Sequence, residues 1–141
     1  MNTIKTIITC GLSVMLAACT QAPQQAETNE VVETIMSRRS IRNYRQVAVG
    51  RDTLNMIMQC GINAPNGQNR QSWEVRVVDN PELLAQMSQA MSDSHPGMEF
   101  AKECFRGAPV MVFIARDLSY DFSAYDCGLM AENMMLSAWS L

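Results

Sequence analysis

Only two stretches of this 141-residue chain read as β-strands, and two strands alone make a marginal sheet. Trp73, Val75 and Val77 alternate with Glu74 and Arg76, the pattern of a half-buried strand. Val110 to Ala115 is a continuous apolar run, consistent with a strand covered on both faces. The remaining periodic segments are helical, and so small a sheet points to missing chain. Asn29 is a good N-cap, and Glu30 and Glu33 then sit where the helix dipole favours acids. Val31, Val32, Ile35 and Met36 fall on one face of that helix. Asp52 is expected to cap a second helix carrying Leu54, Ile57, Met58, Gly61 and Ile62. Asn80-Pro81 opens a third, with Leu83, Leu84, Met87, Ala90 and Met91 on its apolar side; Ser92 to Gly97 reads as a loop and Met98 to Phe105 as a short helix. The last element, Ser123 to Leu141, carries few charges and has small and apolar residues around much of its circumference. It is expected to be deeply buried, including against a partner chain. It stops in mid-pattern at Ala138-Trp139-Ser140-Leu141, with neither a glycine cap nor a basic last turn, so the fold is expected to be incomplete at the C-terminus.

The first eighteen residues read as a targeting segment. Lys5 supplies the positive start, Ile7 to Leu16 is a short apolar run, and small residues lead into Cys19. The run is too short to span a bilayer, which takes about 20 apolar residues. Leu16-Ala17-Ala18-Cys19 resembles the lipobox of bacterial lipoproteins, in which the cysteine is acylated and becomes the mature N-terminus. A plain secretory signal, or a helix with an incidental cysteine, is the alternative. Thr20 to Thr28 is polar, without a large apolar residue, and reads as a tether. The organisation is then 1–18 signal peptide, 19–28 flexible tether and 29–141 the N-terminal part of one domain. The protein is expected in a bacterial cell envelope, lipid-anchored to a membrane and facing the periplasm or exterior.

Charge narrows the ligand. A net charge of -3 gives no reason to expect nucleic acid, yet Arg38, Arg39, Arg42, Arg45 and Arg51 crowd into one stretch, while from Asp117 onward every charge is acidic. A knot of arginines in an acidic protein points to a small anion held at one place. Past Cys19, the cysteines are Cys60, Cys104 and Cys127, with no CxxC spacing, which indicates neither a zinc site nor a disulfide framework. His95 is the single histidine, so a histidine triad or multi-histidine metal centre is excluded.

Two segments carry chemistry. In Ser37-Arg38-Arg39-Ser40-Ile41-Arg42-Asn43-Tyr44, planar guanidinium forks and a serine hydroxyl are the donors that a phosphate requires. A solvated basic loop is the plainer reading of that segment alone. In Ala64-Pro65-Asn66-Gly67-Gln68-Asn69-Arg70-Gln71-Ser72-Trp73, a rigid proline and a glycine let backbone approach a flat ligand, with amides at its edge. A helix-to-strand loop ending on a core tryptophan would give the same residues.

Taken in order, RRSIR, a helix, APxxxNRQxW, a strand, Gly107-Ala108-Pro109 with an apolar strand, and Asp126-Cys127-Gly128-Leu129-Met130-Ala131-Glu132-Asn133 closely resemble the nitroreductase family over about residues 31–141. The resemblance implies an α+β, nitroreductase-like fold, a central antiparallel or mixed sheet flanked by helices, incomplete at the C-terminus. It implies FMN as cofactor, with Arg38, Arg39 and Ser40 at its phosphate and ribityl end and Arg42 near the flavin pyrimidine edge. Pro65, Asn66, Gly67 and Asn69 would approach the flavin of the neighbouring subunit of a homodimer, whose interface includes the helix bearing Asn133. Electrons would pass from NAD(P)H or another reductant through the flavin to nitroaromatic, quinone or similar small acceptors, with no side chain as nucleophile. Reductive dehalogenation or flavin fragmentation would be sibling chemistry in the same fold. Ser72 stands where the family usually has proline, and Asn66 where it usually has serine or threonine. Reduced nicotinamides are scarce outside the cytoplasm, so a flavin-binding or interaction lipoprotein without turnover is the alternative.

Overall fold

The computed structural model describes residues 29–141; the segments expected to be a signal peptide and a tether, with Cys19, lie outside the described residues. The elements are α1 (Glu30–Ser37), α2 (Arg51–Ile62), β1 (Trp73–Val78), α3 (Pro81–Ser94), α4 (Glu99–Lys102), β2 (Met111–Arg116) and α5 (Ser123–Ser140). A single 3-10 turn, Gly67–Asn69, precedes β1.

Two helix starts follow from their caps. The Val32 N–H donates to Asn29 Oδ1 at 3.0 Å, and the Leu83 N–H donates to Asn80 Oδ1 at 2.7 Å, with Pro81 just inside α3. The start of α2 differs from the sequence expectation. Its N-cap is Gly50, which offers no side-chain acceptor, and Asp52 lies inside the first turn, favourable there only through the helix dipole. Helix α3 also runs on to Ser94, through residues expected to form a loop; His95 ends it with its backbone N–H on the Ser92 carbonyl and Nδ1 3.1 Å from the Met91 carbonyl.

β1 and β2 pair antiparallel, with Val75 opposite Ile114 and Val77 opposite Val112. Trp73, Val75, Val112 and Ile114 pack on the main core, where Met130, Met134 and Ala64 are buried and Ile57 and Met58 of α2 close the side. Met130 is fully excluded from solvent, a burial that stabilises by roughly 1.5–3 kcal/mol. The opposite face of the sheet is less covered. Phe113 meets Phe105 edge-on at 6.1 Å between ring centroids, and Arg76 and Glu74 pair beside it. Met111 to Ile114 are half-buried and Ala115 is exposed, so β2 is not the strand covered on both faces that its composition suggested.

Helix α5 is the organiser. Ser123, Asp126, Met130 and Met134 form one buried stripe, and Gly61 of α2 lies so close that a Cβ there would come within 2.5 Å of Met134 Cε. The stripe is narrower than the sequence suggested: Tyr125, Leu129, Met135 and Trp139 remain exposed, as do Val31, Val32, Ile35 and Met36 of α1. Among the described residues no helix is long and apolar enough to cross a membrane.

Candidate functional site

The arginine-rich segment begins where α1 ends. Arg38 is its C-cap, and the Arg38 N–H still bonds the Thr34 carbonyl at 3.1 Å. Arg39 then turns back over the helix end: Nη1 donates to the carbonyls of Met36 (3.0 Å), Ser37 (3.0 Å) and Arg38 (2.8 Å). These are carbonyls a helix terminus leaves unpaired, so the cation is fixed by its own backbone. Its three bonds all leave from one nitrogen, and a guanidinium has further donors on the others. Arg38 points toward α5, Nε 3.8 Å from Glu132 Oε1, with both side chains partly exposed. A pair that long and that wet contributes little. Trp139 of α5 anchors the same corner by donating Nε1–H to Ser37 Oγ at 2.9 Å. Ser40 is exposed, and Arg42 Nη1 reaches the Ser40 carbonyl at 3.5 Å.

The second segment, residues 64–72, leaves the end of α2 and crosses the start of α5. Its backbone is unusual: Gln68, Asn69 and Gln71 all have positive φ, at 57°, 54° and 50°. Left-handed non-glycine residues are uncommon, and three in one short loop must be over-determined by their surroundings. Those surroundings are visible. Asn66 Oδ1 accepts from the Gln71 N–H at 3.0 Å, closing the loop on itself. The Gly67 N–H donates to Asp126 Oδ1 at 3.0 Å. The Arg70 guanidinium stacks 4.4 Å above the Tyr120 ring, and Tyr120 Oη lies against Gly67 so closely that a Cβ there would collide with it. The close approach that Gly67 permits is therefore to Tyr120 of its own chain. Pro65 and Asn69 are exposed, while Asn66 and Gly67 are half-buried.

Both segments are tied to α5, but not at one spot. Asn133 donates Nδ2–H to the Cys60 carbonyl at 3.0 Å, on the same side as Asp126. Glu132 and Trp139, which meet the arginine segment, lie on another flank. At 100° per residue Glu132 stands roughly 120° around the axis from Asp126 and about 9 Å along it. Arg38 and Gly67 are thus held to different sides of one helix.

Arg42 belongs to a third neighbourhood. It lines a cavity of about 750 Å³ with Gln46, Asp79, Ser88, Glu103 and Arg106. There Gln46 donates Nε2–H to the Gly107 carbonyl at 2.7 Å, beside Arg106 and Gly107, whose φ values are 48° and 67°. Of the site residues chosen from sequence, only Arg42 lines this cavity.

Asp126 and Tyr120 were not singled out as site residues by sequence reasoning. The signal for Asp126 was present, since an acid four and eight residues before Met130 and Met134 must share their buried stripe. Nothing in the sequence marks Tyr120. Near this loop the Cys127 thiol is pushed up by burial and by the adjacent Asp126, with Arg116 opposing. No cluster of His, Cys, Asp and Glu among the described residues could hold a metal ion.

Residues 35–141 match the family model described as the nitroreductase family. The chain is similar to a solved nitroreductase with bound FMN from Bacteroides fragilis, at 30% identity and a TM-score of 0.74, covering 80% of this chain and 66% of that one. It is 33% identical over 98 residues to the CLA biosynthesis enone reductase of Lactiplantibacillus plantarum, covering 69% of this chain and 42% of that protein. It is 31% identical over 125 residues to the NADPH-flavin oxidoreductase of Vibrio harveyi, covering 80% and 50%. The chain spans about half the length of the curated relatives it matches.

Proposed function

The chain belongs to the nitroreductase family, and on that premise we propose that it contributes to an FMN-dependent oxidoreductase whose site is shared between two copies of the chain. One observation carries the reading: the arginine segment and the strained 66–71 loop are fixed to flanks of α5 roughly 120° apart, so within a chain they do not face one another. A second copy, related by a two-fold axis, brings the loop of one protomer to the arginines of the other. The exposed apolar residues of α1 and α5, among them Ile35, Met36, Leu129 and Met135, are the surface available for that contact.

The residues present suit FMN. Arg39 is held in place by three carbonyls and retains donors on its other nitrogens, Ser40 offers an exposed hydroxyl, and Arg38 is restrained only by a loose ion pair. Together they would hold the phosphate and ribityl end. Arg42 would stand at the pyrimidine edge, where a cation favours negative charge. Pro65, Asn66, Gly67 and Asn69 would come from the second copy. The Asn66 carbonyl amide oxygen and Gly67 N–H are already used in shaping the loop, which leaves Asn69 and the loop's exposed surface as the groups facing the ligand. When bound, the flavin supplies two-electron transfer between a reduced nicotinamide, or another reductant, and a nitroaromatic, quinone or similar acceptor. The protein's part is to bind, orient and tune charge.

The test is an FMN titration of the full chain followed by NAD(P)H oxidation with a nitroarene. Tight binding with turnover supports the oxidoreductase; binding without turnover supports a non-catalytic flavin lipoprotein; no binding removes the reading. We also propose that Cys19 is lipidated and anchors the protein in the bacterial envelope. Labelled fatty acid should enter the wild type and be absent from Cys19→Ala; equal labelling of both would contradict it.

A further inference from the structure

Asp126 is 3% exposed and sits in the first turn of a helix whose buried stripe is otherwise methionine and serine. One of its carboxyl oxygens accepts the Gly67 N–H from 59 residues away. The other, Oδ2, is buried and has no hydrogen-bond partner. A buried carboxyl with one oxygen unsatisfied is a poor choice for stability, because an apolar side chain on the same stripe would avoid the desolvation. The other buried unsatisfied side-chain atom among the described residues is Ser72 Oγ. Ser72 ends the very loop that Asp126 holds near its start. Both buried polar atoms that lack partners therefore flank one loop, and that loop carries three left-handed residues in succession or near it. Costs gathered at one place, with strain beside them, are the pattern of a conformation kept for use.

We propose that Asp126 is a positioning residue: by holding the Gly67 N–H from beneath, it fixes the left-handed turn at Gln68 and Asn69 and so aims Asn69 at the ligand. This rests on the reading that the 66–71 loop faces FMN. Asp126 itself touches no cofactor. It acts through one hydrogen bond on the backbone, at the point where the 3-10 turn begins and its N–H would otherwise lack a partner. Tyr120 and Arg70 pack against the same loop, so packing alone is the rival explanation.

The full chain, Asp126→Ala and Asp126→Asn are compared by FMN titration and by hydrogen exchange at the Gly67 amide. Asparagine keeps one oxygen for that N–H; alanine keeps none. Asp126→Ala should weaken FMN binding by about tenfold and unprotect the Gly67 amide, with α2 amides and the melting midpoint little changed. Asp126→Asn should restore both affinity and protection. Wild-type affinity in Asp126→Ala overturns the inference and leaves the flavin reading standing. If the wild type itself binds no FMN, the flavin reading falls and takes the inference with it. Should Asp126→Ala not fold, Asp126→Asn decides alone: near-wild-type affinity with a protected Gly67 amide supports the role. A tenfold loss with that amide still protected, or retained affinity with it exchanging freely, overturns it.

Discussion

Arg39 and Arg38 illustrate why a run of like residues does not do one job. Arg39 is locked over the end of α1 by three carbonyls, whereas Arg38 has only a 3.8 Å contact with Glu132 and can be redirected to a stronger anion. Arg38→Ala should therefore weaken FMN binding about tenfold with little change in stability, as read by flavin fluorescence and urea melts. Unchanged affinity would remove Arg38 from the site. Titrating groups give two further expectations. Burial and Asp126 hold the Cys127 thiol protonated above the ordinary thiol range, so it should alkylate more slowly than a free thiol at pH 8 and catch up only in more alkaline solution. Peptide mapping after timed alkylation checks this, and rapid labelling at neutral pH would contradict it. Asp117 is lowered by hydrogen bonds from the Ser119 hydroxyl and N–H. Its folded value lies below its unfolded one, so its support for the turn is complete above the ordinary carboxylate range and is lost as pH falls through the lowered value. A carboxyl NMR titration should show that depressed midpoint.

At the scale of elements, what was legible in the sequence was what local chemistry decides. Asn29 and Asn80 announce their helices because a short amide side chain can satisfy the first turn, and both do. Asn80→Ala should cost about 1 kcal/mol in a urea melt, and no loss would show that Pro81 and packing suffice to start α3. Asp52 carried the same local signal and did not cap, because α2 starts earlier, at Gly50, and the acid falls inside the turn. The extent of β2 burial was not legible, since it depends on what covers the second face and no local pattern encodes that. Helix α5 reads as apolar nearly all round, yet only its Ser123–Asp126–Met130–Met134 stripe is buried within the chain. Met130→Ala, at the centre of that stripe, should destabilise by about 2–5 kcal/mol, while substitutions at the exposed Met135 should change stability little. Comparable losses at both positions would mean that α5 is covered on two sides even in the isolated chain.

For the whole molecule, the family was legible in the order of motifs along the chain, and residues 35–141 match its model, but the spatial relation of those motifs was not. Sequence reasoning could place Arg38 and Asn69 in the same site only through a second subunit. In the structure α5 stands between the two segments and holds each on a separate flank, and the proposal of a shared site starts from that arrangement. The cavity at Arg42 and Arg106 was invisible in sequence, since it is made by a loop, α3 and the approach to β2 meeting in space. The central claim is that one FMN is held by Arg38 of one copy and Asn69 of another. It is tested by titrating FMN into Arg38→Ala, Asn69→Ala and an equimolar mixture of the two after subunit exchange. Each variant alone should bind weakly, while the mixture should regain wild-type affinity at roughly a quarter of its sites, the share that random pairing leaves with both residues intact. A mixture no better than its two components would contradict a site built across subunits.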